Sequence, residues 1–171
     1  VAGSTCSSCA VSPEYSPGAA AQDEGPSQQS QYADGSMWQG ENYQDSVAIT
    51  GDGSNVDMSF VSMTSQSGFF QDSEYEGILG FGGAMLALSG TDSYVSKRAL
   101  KQFGFRFCGN AGGTMWLDTP DASAQTGSAQ WAALNTSLGY YLVTLGGAAA
   151  GGSALDGASG LAVADTGTTG M

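Results

Sequence analysis

Glycine is the residue that most constrains how this chain can fold, because it occupies 27 of the 171 positions. A glycine inside a helix or strand costs roughly 0.5–1 kcal/mol relative to alanine, whereas glycine in a tight turn is favourable. Only 12% of the residues are charged, so Ser, Thr, Gln and Asn must supply most of the polar surface. Short strands joined by tight turns suit this composition better than long amphipathic helices.

Turn residues and apolar alternation predict where the strands lie. Asp34-Gly35 predicts one hairpin turn, and Gly51-Asp52-Gly53 predicts another between residues 47–50 and 56–63. Further short strands are predicted at residues 76–82, 105–108, 113–117, 131–134, 140–145 and 161–164. Residues 1–30, rich in Ser, Gly, Pro and Gln, are predicted as a surface connection, and residues 146–152 as a turn or loop.

One helix is predicted in the middle of the chain. Thr91 or Asp92 is expected to cap it, helical apolar spacing runs from residue 94 to residue 103, and Gly104 is expected to end it. Three of the four basic residues fall in its later turns, where they complement the helix dipole. The predicted fold class is therefore all-β: mostly strands, with one clear helix.

Charge and hydropathy exclude two classes of partner. The net charge is −12, with only four Lys and Arg residues, and nucleic-acid binding needs several cationic contacts to phosphates. We therefore predict no nucleic-acid partner. No apolar run reaches 18 residues, so this segment is also predicted to have no membrane span.

Cysteines and a sequon favour the secretory route. For Cys6 and Cys9 we prefer a local structural disulfide to a redox pair or half a zinc site, since the chain has no histidine and no second Cys pair. Cys108 is then an odd thiol. Asn135-Thr136-Ser137 is a candidate glycan acceptor at Asn135. No metal site and no cofactor are predicted.

Asp165-Thr166-Gly167 follows an apolar strand and is the motif best suited to chemistry. The strand would bring a carboxylate to the floor of a cleft, and Gly167 would let the backbone turn so that its N–H groups point at that carboxylate. Such a site orients an acid without a metal. The tripeptide alone is short, and an Asp in a turn is more often a cap or turn former.

Several segments, in their order along the chain, resemble the pepsin-like aspartic proteases. Residues 1–6 resemble the stretch after the family's first Asp-Thr-Gly-Ser, and residues 32–36 (Tyr-Ala-Asp-Gly-Ser) resemble the tip of the substrate-covering flap. Residues 77–80 (Gly-Ile-Leu-Gly) resemble the segment that braces the first active-site loop. Residues 126–128, Trp131 and 139–141 resemble the start of the second lobe, and residues 164–169 resemble the second catalytic loop.

This resemblance implies a bilobal fold, with an N-terminal lobe at residues 1–112 and the beginning of a truncated C-terminal lobe at residues 113–171. It implies an aspartic-type endopeptidase that acts on an extended polypeptide by activating water with two aspartates. The roles it implies are a catalytic aspartate at Asp165, a flap tyrosine at Tyr32, and substrate-binding backbone groups at Ala33, Asp34, Gly35, Gly167 and Thr168.

The first Asp-Thr-Gly is absent from these residues. We therefore expect the 171 residues alone to be inactive, and expect them to be part of a longer chain that supplies the first catalytic aspartate. A degenerate relative without the chemistry is the alternative. The alternative function is a non-catalytic binding or structural module of a larger extracellular assembly. The expected location is secreted, or the lumen of an acidic or secretory compartment.

Overall fold

The computed structural model describes residues 1–10, 12–68, 71, 75–109, 112–120, 122–124 and 126–167. The chain divides into two compact units, Val1–Phe81 with Ala87–Ala99, and Gly82–Leu86 with Leu100–Met171. Strands dominate the described ranges, so the all-β prediction is confirmed.

The strands are β1 Gln22–Gln31, β2 Met37–Ala48, β3 Asn55–Ser67, β4 Phe103–Phe107, β5 Gly113–Leu117, β6 Leu142–Leu145, β7 Ala149–Ala150, β8 Ser153–Ala154 and β9 Gly160–Val163. The helical elements of the described ranges are the α-helix α1 Tyr94–Lys97 and the 3₁₀ turns Ala84–Leu86 and Ala122–Ala124.

The first unit is built on a three-stranded antiparallel sheet in the order β1-β2-β3. Strand β3 pairs with β2 along one edge, and on its other edge Ala2 forms a parallel bridge with Met63. With both edges occupied, β3 carries three of the six buried apolar side chains of the described residues: Met58, Val61 and Met63. The predicted hairpin around residues 51–53 is therefore present, with longer arms than predicted.

The prediction that residues 1–30 form a surface connection is wrong for residues 22–30, which belong to strand β1. This edge strand is rich in Gln and Ser and lacks the apolar alternation that marks a half-buried strand. Its pairing with β2 is interrupted around Gly25, which has φ +101°. Pro26 follows at the same irregularity, where a residue without an N–H is tolerated.

The helix is much shorter than predicted. Ser93 caps α1 by accepting a hydrogen bond from the Ser96 N–H at 3.5 Å. The predicted cap Asp92 instead accepts the Ser59 N–H through Oδ2 at 2.7 Å. Ala99 lies at φ +52°, in the left-handed region, so the chain leaves the helix there rather than at Gly104, which lies in β4.

The turn between β2 and β3 is tied to α1 by an ion pair. Arg98 donates from Nε to Asp52 Oδ2 at 2.9 Å and from Nη2 to Oδ1 at 3.1 Å. The Tyr94 hydroxyl also donates to Asp52 Oδ2, at 3.3 Å. The bonds from Arg98 hold the pKa of Asp52 below its usual value. The ionised carboxylate thus locks the hairpin turn to the helix.

We predict that Asp52→Asn makes the protein less stable at neutral pH and flattens its loss of stability in acid. Because folding lowers the pKa of Asp52, its ionised carboxylate stabilises the folded protein at pH values above the unfolded-state pKa of about 4. This stabilisation is lost as the pH falls through the folded-state pKa. Unfolding midpoints from pH 7 downward measure this. Asp57→Asn, at an exposed position on β3, is the matched control, and an unchanged acid limb in Asp52→Asn would contradict the prediction.

The second unit consists of two-stranded antiparallel pairs, β4 with β5, β6 with β9 and β7 with β8. Phe103 on β4 packs against Tyr141, with ring centroids 5.5 Å apart. The β7–β8 hairpin overlaps residues 146–152, which were predicted as a turn or loop, and its turn contains Gly151 and Gly152 with φ +57° and +84°. Two adjacent positive φ values are typical of a tight hairpin turn.

Two predicted strands are wrong. Residues 76–82, in which Ile78 is 64% exposed, and residues 131–134, in which Trp131 is 87% exposed, form no strand. Both are short apolar runs, and such runs do not define a strand unless a neighbour supplies hydrogen bonds. In the ranges that the structure describes, no helix has the length and apolar character that a membrane crossing requires.

Candidate active site

The tip of the β1–β2 hairpin is formed by residues 32–36, the segment predicted as a flap. The last paired residues are Gln31 and Met37. The Tyr32 N–H donates to the Ser36 carbonyl at 2.8 Å, and the Gly35 N–H donates to the Tyr32 carbonyl at 3.0 Å. Gly35 has φ +86°, which explains why glycine is needed at this place. Tyr32, Ala33, Asp34 and Gly35 therefore lie together in one exposed turn.

The flap turn is fastened by the Asp34 carboxylate. Ser36 donates its N–H to Asp34 Oδ1 and its hydroxyl to Asp34 Oδ2, both at 2.9 Å. Both bonds lower the pKa of Asp34, and the bond from the Ser36 backbone N–H has the larger effect. The carboxylate therefore stays ionised further into the acidic range than a free aspartate does.

Ser36, to which the sequence assigns no role, fastens the flap turn through its bonds to Asp34. Its side chain is only 3% exposed. It packs under Gly68, where an added Cβ would lie 2.7 Å from Ser36 Oγ. An Asp followed two residues later by Ser is the pattern that could have revealed this side-chain turn.

The segment predicted to brace the first active-site loop lies against the first residues of the chain. The Ala2 N–H donates to the Glu76 carbonyl at 2.6 Å, and an added Cβ on Gly77 would lie 2.8 Å from the Val1 Cα. Ala2 is 1% exposed. The backbone of residues 76 and 77 is thus in direct contact with the backbone of residues 1 and 2.

Cys6 and Cys9 form a disulfide, as predicted. The loop that it closes is attached to β3, since Ser8 Oγ donates to the Gln66 carbonyl at 2.9 Å and accepts the Gln66 N–H at 2.8 Å. Cys108 is an exposed free thiol, and Arg106 Nε lies 3.3 Å from its Sγ.

Asp165 follows β9 in the second unit. Strand β9 pairs with β6, and the Ala164 N–H donates to the Tyr141 carbonyl at 2.8 Å, extending that pairing to the residue before Asp165. The Gly167 N–H donates to Asp165 Oδ1 at 2.8 Å. An added Cβ on Gly167 would lie 3.3 Å from the same oxygen, so glycine leaves room for the carboxylate.

The predicted site residues thus form two groups. Tyr32, Ala33, Asp34 and Gly35 share the flap turn of the first unit, while Asp165 and Gly167 share the turn after β9 in the second unit. Thr168 lies outside the described residues. Within the described ranges, no group of three or more acidic, Cys or His residues is placed to hold a metal ion.

Comparison with known proteins gives these groups a context. The family model for eukaryotic aspartyl proteases matches residues 1–171. A protein described as an aspartic protease from Phaffia rhodozyma is 31% identical over 144 residues, which are 81% of this chain and 35% of that protein. The chain thus spans about a third of the length of this relative. The family match extends from the stretch before the disulfide loop to the turn that carries Asp165, and the chain belongs to the eukaryotic aspartyl protease family.

Proposed function

We propose that the complete protein is an aspartic-type endopeptidase. The observation that carries this proposal is the Asp165 turn, in which a carboxylate delivered by a strand is oriented by the Gly167 N–H at 2.8 Å. The turn occurs in a chain of the aspartyl protease family. Because an aspartic protease relative is much longer than this segment, the activity belongs to the complete protein.

In the proposed mechanism Asp165 works with a second aspartate supplied by the rest of the protein. Two carboxylates a few Å apart share one proton, since two like charges so close are costly. One carboxylate accepts a proton from the water that attacks the peptide carbonyl, and the other donates a proton. The pair titrates as a unit. With one aspartate missing, the 171 residues alone are expected to be inactive.

The proposed substrate is a polypeptide bound in extended form. Backbone groups of Ala33, Asp34 and Gly35 would bind it from the flap, and Gly167 and Thr168 would bind it from the catalytic turn. The exposure of residues 32–35 at the end of two long strands supports this role, because these residues are open to solvent. Tyr32, 44% exposed, would close over the substrate.

We also propose that residues 1–112 and 113–171 belong to the two lobes, and that the protein is secreted or lies in the lumen of an acidic or secretory compartment. The disulfide between Cys6 and Cys9 supports an oxidising compartment.

Digestion of an unfolded protein by the complete protein at acidic pH tests the proposal. An endopeptidase produces internal fragments, and a statine inhibitor, which mimics the transition state, blocks their formation. A non-catalytic module of an extracellular assembly produces none. Absence of cleavage by correctly folded complete protein would favour that alternative.

We predict that Ser36→Ala weakens catalysis without unfolding the protein. The change removes the hydroxyl that donates to Asp34 Oδ2, so the flap turn is held less firmly over the substrate. We expect kcat/KM to fall between a few-fold and about 10²-fold, in the range that misplaced positioning groups produce. Ser54→Ala, in the other hairpin turn of the same sheet, is the matched control. Equal kinetics for both variants would contradict the role of Ser36.

A further inference from the structure

The proposed peptidase site leaves one sequence motif unused. Asn135-Thr136-Ser137 is the single Asn-x-Ser/Thr sequence in the chain, and its middle residue is not proline. Such motifs accept N-linked glycans when they lie on the surface of secreted proteins. The motif alone produces many false matches, so the local structure decides whether a glycan fits.

The motif begins a surface turn of the second unit. The Asn135 N–H donates to the Leu142 carbonyl at 2.9 Å, and the Leu142 N–H donates to the Asn135 carbonyl at 3.2 Å. Between them the Gly139 N–H donates to the Thr136 carbonyl at 2.9 Å, and Gly139 has φ +80°. Asn135, Thr136 and Ser137 are all exposed. The backbone is thus fixed while the three side chains face solvent.

The two ends of the Asn135 amide differ in their surroundings. Its Oδ1 accepts the Ser137 N–H at 3.0 Å, which fixes the side chain over the turn. Its Nδ2 has no hydrogen-bond partner within the described part of the chain. A group attached to Nδ2 would therefore break no native hydrogen bond there and displace no buried side chain.

We propose that Asn135 carries an N-linked glycan. The donor would be an oligosaccharide attached through a diphosphate to a membrane lipid. The bond between the sugar C1 and the diphosphate oxygen breaks, a C1–N bond to Nδ2 forms, the amide loses one proton and the lipid diphosphate leaves. No electrons are exchanged. This inference rests on the secretory location proposed above, but not on peptidase activity.

The test uses the complete protein secreted from a eukaryotic host. Cleavage before aspartates releases residues 121–155, because no other aspartate lies between Asp121 and Asp156. We expect this peptide to carry the mass of a glycan. After a glycan-removing amidase, which leaves an aspartate at position 135, the same protease should cut there as well.

Matched variants assign the modification to the motif. Asn135→Gln and Ser137→Ala should abolish the added mass, while Ser137→Thr, which keeps a hydroxyl at that position, should retain it. An unmodified peptide, from the secreted protein or from protein recovered from the secretory compartments of the host, would overturn the proposal. A glycosylated protein without peptidase activity would support the glycan at Asn135 and contradict only the proposed function.

Discussion

The complete protein with Asp165→Asn is expected to lose acid peptidase activity, with kcat lowered by at least about 10²–10⁴-fold, the usual contribution of a general acid or base. Asparagine has the shape of aspartate and can still accept the Gly167 N–H that reaches Asp165 Oδ1 at 2.8 Å. It cannot exchange a proton with the attacking water. The loss should therefore appear in kcat measured on a peptide substrate, with the unfolding midpoint nearly unchanged.

The matched control for this experiment is Asp156→Asn, which removes the same charge from an exposed turn between β8 and β9. It is expected to keep full activity. If Asp165→Asn remains active, and mass spectrometry shows that the preparation contains no wild-type protein, the proposed mechanism is wrong. An unfolded Asp165→Asn variant would contradict the expectation that this exposed turn tolerates the change.

Tyr94→Ala is expected to produce the largest loss of stability in the first unit, about 3–5 kcal/mol, as for other large buried aromatic residues. Tyr94 is 0% exposed. Its ring packs on Phe81 with centroids 5.9 Å apart, and its hydroxyl donates to Asp52. Truncation leaves a cavity where α1 meets the sheet, and Asp52 loses the hydrogen bond that it accepts from the Tyr94 hydroxyl beside its ion pair with Arg98.

Tyr94→Phe is the control that separates packing from hydrogen bonding. It keeps the ring and loses only the hydroxyl, so about 0.5–1.5 kcal/mol is expected. Denaturant unfolding of both variants measures the two values. A loss in Tyr94→Ala no greater than in Tyr94→Phe would show that the ring is not part of the core.

The parts of the fold that could be predicted from sequence are those in which local pattern and tertiary structure agree. Strand β3 alternates apolar residues next to a glycine-rich turn, and Asp165 follows an apolar segment that becomes β9. The Asp34-Gly35 turn has the residues that its backbone conformation requires. The two groups of the candidate site therefore lie in turns that the sequence predicts, at residues 32–36 and directly after β9.

The other parts depend on contacts that the sequence does not display. Strand β1 is polar because an edge strand needs only backbone bonds to β2. The helix is short because Ser93 caps it while the Asp92 carboxylate binds β3, and because Ala99 adopts a left-handed conformation. The packing of Ser36 under Gly68 is likewise a tertiary contact, although the Asp34-Gly35-Ser36 pattern itself indicates the local side-chain turn.

Calorimetric titration of the complete protein with a statine-type inhibitor at acidic pH tests the central claim most directly. A two-aspartate peptidase should bind one inhibitor per chain, because such compounds imitate the transition state that the two carboxylates stabilise. Asp165→Asn should weaken that binding by at least about 10²-fold, the lower limit of the advantage that transition-state analogues have over substrates. Equal affinity in the wild-type protein and the Asp165→Asn variant, or no binding by the wild-type protein, would contradict the assignment of Asp165 as a catalytic aspartate.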